Sequence, residues 1–177
     1  MAKVSYIKNY KVKSSDCFFF DNNIWMFLFA PIADYNIRKQ RAYSRFLREI
    51  QSAGATIYIS SLILSEYINR CLRISHGQWE KRNHYTKTDY KKDYRNTEDF
   101  NNALEDTKED VYSIMSLCIK TPDNFNAIEV DDIFANVNTC DFNDAYFVEL
   151  CKKGNLKLVT DDKDFLSISD NIEIITM

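Results

Sequence analysis

The sequence predicts an α/β fold built on a mostly parallel sheet. Short apolar runs rich in aromatic and β-branched residues alternate with segments of helical periodicity, the pattern of βαβ units. The alternation runs along all 177 residues with no linker long enough to divide it. One domain spanning residues 1–177 is therefore expected, a size at which a single core is adequate.

The elements follow in order. Cys17–Phe20 is an apolar run ending at Asp21, the mark of a strand buried on both faces. Lys39–Ala53 places Ala42, Tyr43, Phe46, Leu47 and Ile50 on one helical stripe, with Gly54 as the residue that ends it. Ala55–Ser60 is a second strand, and Ser61–Leu72 a helix with Leu64, Tyr67, Ile68, Cys71 and Leu72 on its apolar side. Thr97–Ile119 reads as a long helix stopped before Pro122, and Ile128–Val130 as a weak third strand. Asp141–Lys153 is a helix closed by Gly154, followed by strands at Leu156–Thr160 and Ile172–Thr176.

The net charge of −3 hides an uneven distribution. Between Arg73 and Arg95 seven basic residues face three acidic ones, a net of +4, leaving −7 for the rest. This segment, read as a basic helical insertion near 73–97, suggests a polyanionic partner met locally. Lys81, Arg82, Lys87, Lys91, Lys92 and Arg95 interleave with Trp79, Tyr85, Tyr90 and Tyr94. Cations that hold phosphate beside rings that stack on unpaired bases would bind RNA; a solvated helical face is the competing reading. A second basic run, Arg38, Lys39, Arg41, Arg45 and Arg48, reads as the ordinary polar side of an amphipathic helix.

Five cysteines, with no C-x-x-C pair, and two histidines make no zinc pattern and suggest buried thiols in a reducing compartment. No secretory signal is expected before Lys13, and the longest apolar stretch, Ile24–Ile32, is too short to span a bilayer. A cytoplasmic protein with no membrane partner is the resulting expectation. Neither G-x-S-x-G nor Walker A is present. With Gly54, Gly77 and Gly154 the only glycines, a dinucleotide-binding G-x-G-x-x-G loop is excluded.

Ligands of open parallel sheets bind beyond the carboxyl ends of the strands, which directs attention to the residues just after each one. Asp21 follows the first strand, with Asn23 two residues on. Glu66 lies in the helix after the second, Asp144 in the first turn of the helix before the fourth, and Asp161, Asp162 and Asp164 follow the fourth. Carboxylates brought to one place repel one another unless one is protonated or a cation joins them. Oxygen-only donors suit Mg²⁺ or Mn²⁺, and such a cation lowers the pKa of a water and neutralises charge on a phosphoryl oxygen. Individually these residues have plainer readings: Asp21 and Asp141 as helix caps, Glu66 as a solvated charge, Asp161 to Asp164 as a polar turn.

Three stretches together resemble the PIN-domain nucleases, the family of VapC-type toxins. They are FFFDNNIW from Phe18, ISSLILSEY from Ile59, and NDAYFVELCKKGNLKLVTDDKDF from Asn143. The resemblance implies a three-layer α/β/α sandwich. It implies Asp21, Glu66, Asp144 and Asp162 as an acidic quartet holding Mg²⁺ or Mn²⁺, supported by Asn23, Thr160 and Asp164. It also implies hydrolysis of RNA to 5′-phosphate and 3′-hydroxyl ends. An antitoxin would then be a partner, and the apolar residues of Ile24–Ile32 and Lys39–Ala53 would offer a face to it or to a second copy. The alternative from another class is a non-catalytic PIN-fold module that binds RNA or a protein.

Overall fold

A computed structural model of the chain describes residues 2–30, 37–168 and 171–177. Its centre is a six-stranded sheet of β1 (Lys3–Tyr6), β2 (Cys17–Phe20), β3 (Thr56–Ile59), β4 (Ile119–Lys120), β5 (Lys157–Val159) and β6 (Glu173–Thr176). The order is β1-β6-β5-β2-β3-β4, and every pairing is parallel. The helices are α1 (Asn22–Phe29), α2 (Ile37–Ala53), α3 (Ser61–Arg82), α4 (Glu98–Ser116), α5 (Val130–Phe134) and α6 (Phe142–Gly154).

The sandwich follows from β2. Successive side chains of a strand point to opposite faces. Phe18 meets Phe46 of α2 edge to face at 5.7 Å, while Phe19 meets Phe147 of α6 at 5.4 Å. The two helices therefore cover opposite sides of the sheet, and the continuous run Phe18–Phe20 is fully buried, giving three α/β/α layers.

Several boundaries differ from expectation for physical reasons. β1 is an edge strand with mostly exposed side chains, so its sequence KVSY carries little apolar signal. Ile128–Val130 is not a strand. A 3₁₀ turn at Phe125–Ala127 leads into α5, and Ile128 serves the core as a single buried side chain. The strand beside β3 is instead β4, two residues at the end of the segment expected to be helical. α3 runs ten residues past Leu72, to Arg82. Gly54 takes the left-handed conformation that ends α2 (φ +68°), but α6 is ended by Asn155 in that conformation, with Gly154 still helical.

The apolar residues of α1 and α2 turn inward. Ile24, Trp25, Met26, Tyr43, Phe46 and Ile50 are all buried, so they form core and not the partner face expected of them; the end of the Ile24–Ile32 stretch lies outside the described residues. The outer half of α3 has its own small core. Leu72 and Trp79 pack with Tyr94, in a π-helical turn at Tyr90–Tyr94, and with Phe100 of α4. Among the described residues no helix is long and apolar enough to cross a membrane.

Candidate active site

The neighbouring strands β2 and β5 end side by side, and their next residues begin the site. Phe20 pairs with Val159, so Asp21 falls beside Thr160, and the Asp21 N–H donates to the Val159 carbonyl at 3.0 Å. The chain leaves β2 toward β3 on one side and returns to β5 on the other, so a crevice opens between them at the carboxyl edge.

Asp21 occupies the N-cap position of α1 without a side-chain capping bond. Its carboxylate is held instead by Thr160, whose hydroxyl donates to Oδ2 at 2.7 Å, and by the Asn23 amide, which donates to the same oxygen at 2.5 Å. The Asn23 amide also reaches Thr160 Oγ1 at 3.1 Å, and its carbonyl oxygen accepts from the Asp161 N–H at 3.2 Å. Thr160 Oγ1 accepts in turn from the Asp162 N–H at 3.0 Å. One buried carboxylate, one amide and one hydroxyl thus lock two strand ends together.

Glu66 arrives from α3, which Ser60 caps by accepting from the Ile63 N–H. Its carboxylate accepts a bond from Asn143 Nδ2 on α6. Asp144 sits in the first turn of the same helix, and Asp141 is the cap there, accepting from the Asp144 N–H at 3.0 Å. The two tandem aspartates after β5 have separate positions. Asp161 pairs with Lys39 and accepts from the Tyr43 hydroxyl at 3.1 Å, whereas Asp162 lines the crevice. Asp164 is exposed, lies outside the crevice lining, and donates its N–H to Asp162 Oδ1 at 3.0 Å.

The crevice has a volume of about 590 Å³ and gathers Asp21, Glu66, Asp141, Asp144 and Asp162 from four elements and loops. Its electrostatics reflect that crowding. Burial, and then repulsion from Asp141, Asp21, Asp162 and Glu66, pushes Asp144 up to about 8. Glu66 is raised to about 7, chiefly by burial, with Asp21 and Asp141 adding to it and the Asn143 hydrogen bond opposing. Asp21 is raised to about 6, again mainly by burial, against the Thr160 hydrogen bond. Three carboxyl groups in one crevice are held above their usual range, so ionising all of them there is opposed by burial and by one another.

The donor set fits a hard divalent cation in its chemistry, its carboxylates and amide carbonyls offering oxygen donors only. Asn22 adds a further observation: it lines the crevice, and its buried Oδ1 has no hydrogen-bond partner. Among the described residues no three His, Cys, Asp or Glu side chains already stand close enough together to hold an ion. Sequence reasoning missed Asn22, Asn143, Arg70 and Arg73, all of which line the crevice. Arg70 had a signal, one helical turn after Glu66 on the same face; Asn143 had none, because its role depends on how α6 packs against α3.

The basic segment is more structured than its composition suggests. Trp79 and Tyr94 are buried, and Arg73 and Arg95 lie over the Tyr90 ring at 4.4 and 5.8 Å. Arg82 pairs with Asp99, while Lys81, Lys87, Lys91 and Lys92 are exposed.

A parallel sheet with an acid-lined crevice at its switch point marks an open α/β fold that binds its ligand at the carboxyl edge. The PIN domain family pattern matches residues 18–171, and the chain belongs to that family, whose members are generally nucleases. The fold is similar to a chain in the crystal structure of VapBC2 from Rickettsia felis bound to a DNA fragment from their promoter. The TM-score is 0.53 with 14% sequence identity, over 90% of this chain and 98% of that one. No curated protein sequence gives a significant match.

Proposed function

We propose that this chain is a Mg²⁺- or Mn²⁺-dependent endoribonuclease and the toxin of a toxin–antitoxin pair, acting in the cytoplasm. The observation that carries the reading is the crevice itself, where Asp144, Glu66 and Asp21 are held together at the expense of raised pKa values. Burial and mutual repulsion oppose ionised carboxylates there, and a cationic cofactor would offset both. Similarity of fold to a chain of a VapBC complex supports the toxin assignment, with an antitoxin and a second copy of the chain as protein partners.

Asp21, Asp144 and Asp162 would hold the cation, with Glu66 as a ligand or as the group that orients one. When bound, it supplies a water of lowered pKa and positive charge for the phosphoryl oxygens. The chain's own residues do the rest. Asn23 and Thr160 fix Asp21, and Asn143 fixes Glu66, so that neither carboxylate has to search for its position. Arg70 and Arg73 place cationic groups on the wall of the same crevice, suited to the scissile phosphate. Lys81, Arg82, Lys87, Lys91, Lys92 and Arg95 would serve as further contacts for the RNA backbone.

The test is cleavage of a labelled single-stranded RNA with Mg²⁺, Mn²⁺ or EDTA, comparing the native chain with Asp144→Asn. Cutting that needs the cation and falls by roughly a hundredfold or more in the variant is expected. Equal activity in both proteins would remove Asp144 from the chemistry. Pure, folded native chain that binds RNA and cuts none, whichever cation is added, would favour a binding module over an enzyme.

A further inference from the structure

The second basic run does more than decorate α2. Arg38, Arg41, Arg45 and Arg48 are spaced by three, four and three residues, which places them in one row along the helix. Arg41 and Arg45 line two adjoining hollows. The larger, about 610 Å³, lies between α2 and the residues that follow β1, and is lined also by Arg38, Lys8 and Phe46. The smaller adds Arg48. Arg41, Arg45 and Arg48 are exposed and make no ion pair among the described residues. Glu49 is the only acidic side chain in either lining. In a chain of net charge −3, that is a localised cationic groove.

Topology connects this groove to the crevice. All strands are parallel, so their carboxyl ends share one edge of the sheet. Ile7 and Lys8 follow β1 and Met177 follows β6, so the larger hollow opens on the edge where Asp21 and Asp162 follow β2 and β5. The first turns of α2 are fastened to the site: Lys39 pairs with Asp161, and the Tyr43 hydroxyl donates to Asp161 and to the Thr160 carbonyl. The amino-terminal end of α2 therefore lies at the carboxyl edge of the sheet, and the arginine row runs from that end along a different face of the helix from Lys39 and Tyr43.

We propose that this groove is a phosphate track that carries single-stranded RNA to or from the crevice. The inference rests on the ribonuclease reading. From Arg38 to Arg48 the helix rises about 15 Å, at 1.5 Å per residue. At about 3.4 Å of axis per phosphate in a stacked strand, that length matches roughly four phosphates. Planar guanidinium groups suit phosphate oxygens, which they can engage with two hydrogen bonds. An acidic protein segment would also meet a cationic row, but it has no reason to be led to an acidic crevice. A phosphodiester strand does.

The experiment measures binding of a labelled oligo-uridine to Asp144→Asn protein, which is to be inert, as salt is varied. A second protein adds Arg41→Ala, Arg45→Ala and Arg48→Ala, and a third carries Lys at the same three positions. Loss of three phosphate contacts on a single strand should lower the slope of log affinity against log salt by about 2. It should weaken binding roughly tenfold or more near 0.1 M salt, and the lysine protein should keep most of the slope. An unchanged slope in the alanine protein overturns the track, and cleavage by the native chain then shows whether the nuclease reading survives it. A track-dependent slope in a native chain that cuts no RNA keeps the track and removes the enzyme. Polyglutamate binding that depends on the three arginines while RNA binding does not would make the groove a protein-docking face and overturn the proposal.

Discussion

The acidic crevice and the basic segment Arg73–Arg95 are both dense in charge, yet they are built on opposite principles. In the crevice like charges face one another, and the carboxyl groups of Asp21, Glu66 and Asp144 are all pushed upward by burial and repulsion. In the basic segment several charges are answered locally, while Lys81, Lys87, Lys91 and Lys92 stay exposed without an ion pair among the described residues. Arg82 meets Asp99, Arg73 and Arg95 lie on Tyr90, and the Asp89 side chain accepts from the Lys91 and Lys92 N–H groups. His76 and Glu80 both hold Thr88, folding the loop back on α3. The difference teaches that a count of charges says little about function. What matters is whether the fold neutralises them, because an uncompensated group is there at a cost to stability.

The largest effect that would sharpen this contrast is in the aromatic half of the basic segment. Trp79→Ala should cost about 3–5 kcal/mol, since the ring is buried against Tyr94 in a core of few members. Chemical denaturation reads this directly; a loss under 1 kcal/mol would mean that the outer half of α3 is not held by these rings. The crevice should respond in the opposite direction. Raised folded-state pKa values mean that the folded protein holds protons that the unfolded chain has released. The contribution of these three groups in cation-free protein should therefore be fully present below about pH 4, where their carboxyls are protonated in both states. It should lose that contribution as pH rises through about 6, 7 and 8.

Asp144→Asn should abolish part of this decline and raise the Tm of the cation-free protein at pH 8 by a few degrees, at about 2–4 °C per kcal/mol for a chain of this size. Mn²⁺ should raise the Tm of the native chain and not that of the variant. A flat Tm from pH 5 to 8 without metal would break the contrast. Thr160→Val should leave the fold intact but remove a hydrogen bond from buried Asp21, costing about 1–3 kcal/mol at neutral pH. Smallest of all, Arg82→Ala should change stability by less than about 1 kcal/mol, because its pair with Asp99 is exposed on both sides.

Much of this protein was legible in its residues. Alternating apolar strands and periodic helices imply a parallel sheet, and the rule that parallel sheets bind at their carboxyl ends directs attention to Asp21 and to the run Asp161, Asp162 and Asp164. Those inferences need only local periodicity and chain order; within the run, only the family resemblance favours Asp162. Edge strand β1 escaped because an exposed strand lacks an apolar face, and β4 escaped because two residues carry no period at all. The π-helical turn at Tyr90–Tyr94 escaped because its tyrosines read equally well as stacking rings for RNA or as part of a solvated helical face.

The remaining distinctions depend on contacts between residues far apart in the chain. Asp161 and Asp162 are chemically identical neighbours; only the approach of Lys39 and Tyr43 from α2 turns one into an ion pair and leaves the other in the crevice. Asn143 becomes the partner of Glu66 across 77 positions, and Thr160 that of Asp21 across 139. The two basic runs look alike as compositions, but packing folds one around its aromatic residues and leaves three arginines of the other without an ion pair among the described residues. Residue type and spacing settle which groups are available, since periodicity and propensity act over a few residues. Which of them meet, and so which charges stay uncompensated, is settled by packing, because burial and Coulomb interactions depend on distance in space and not on separation along the chain.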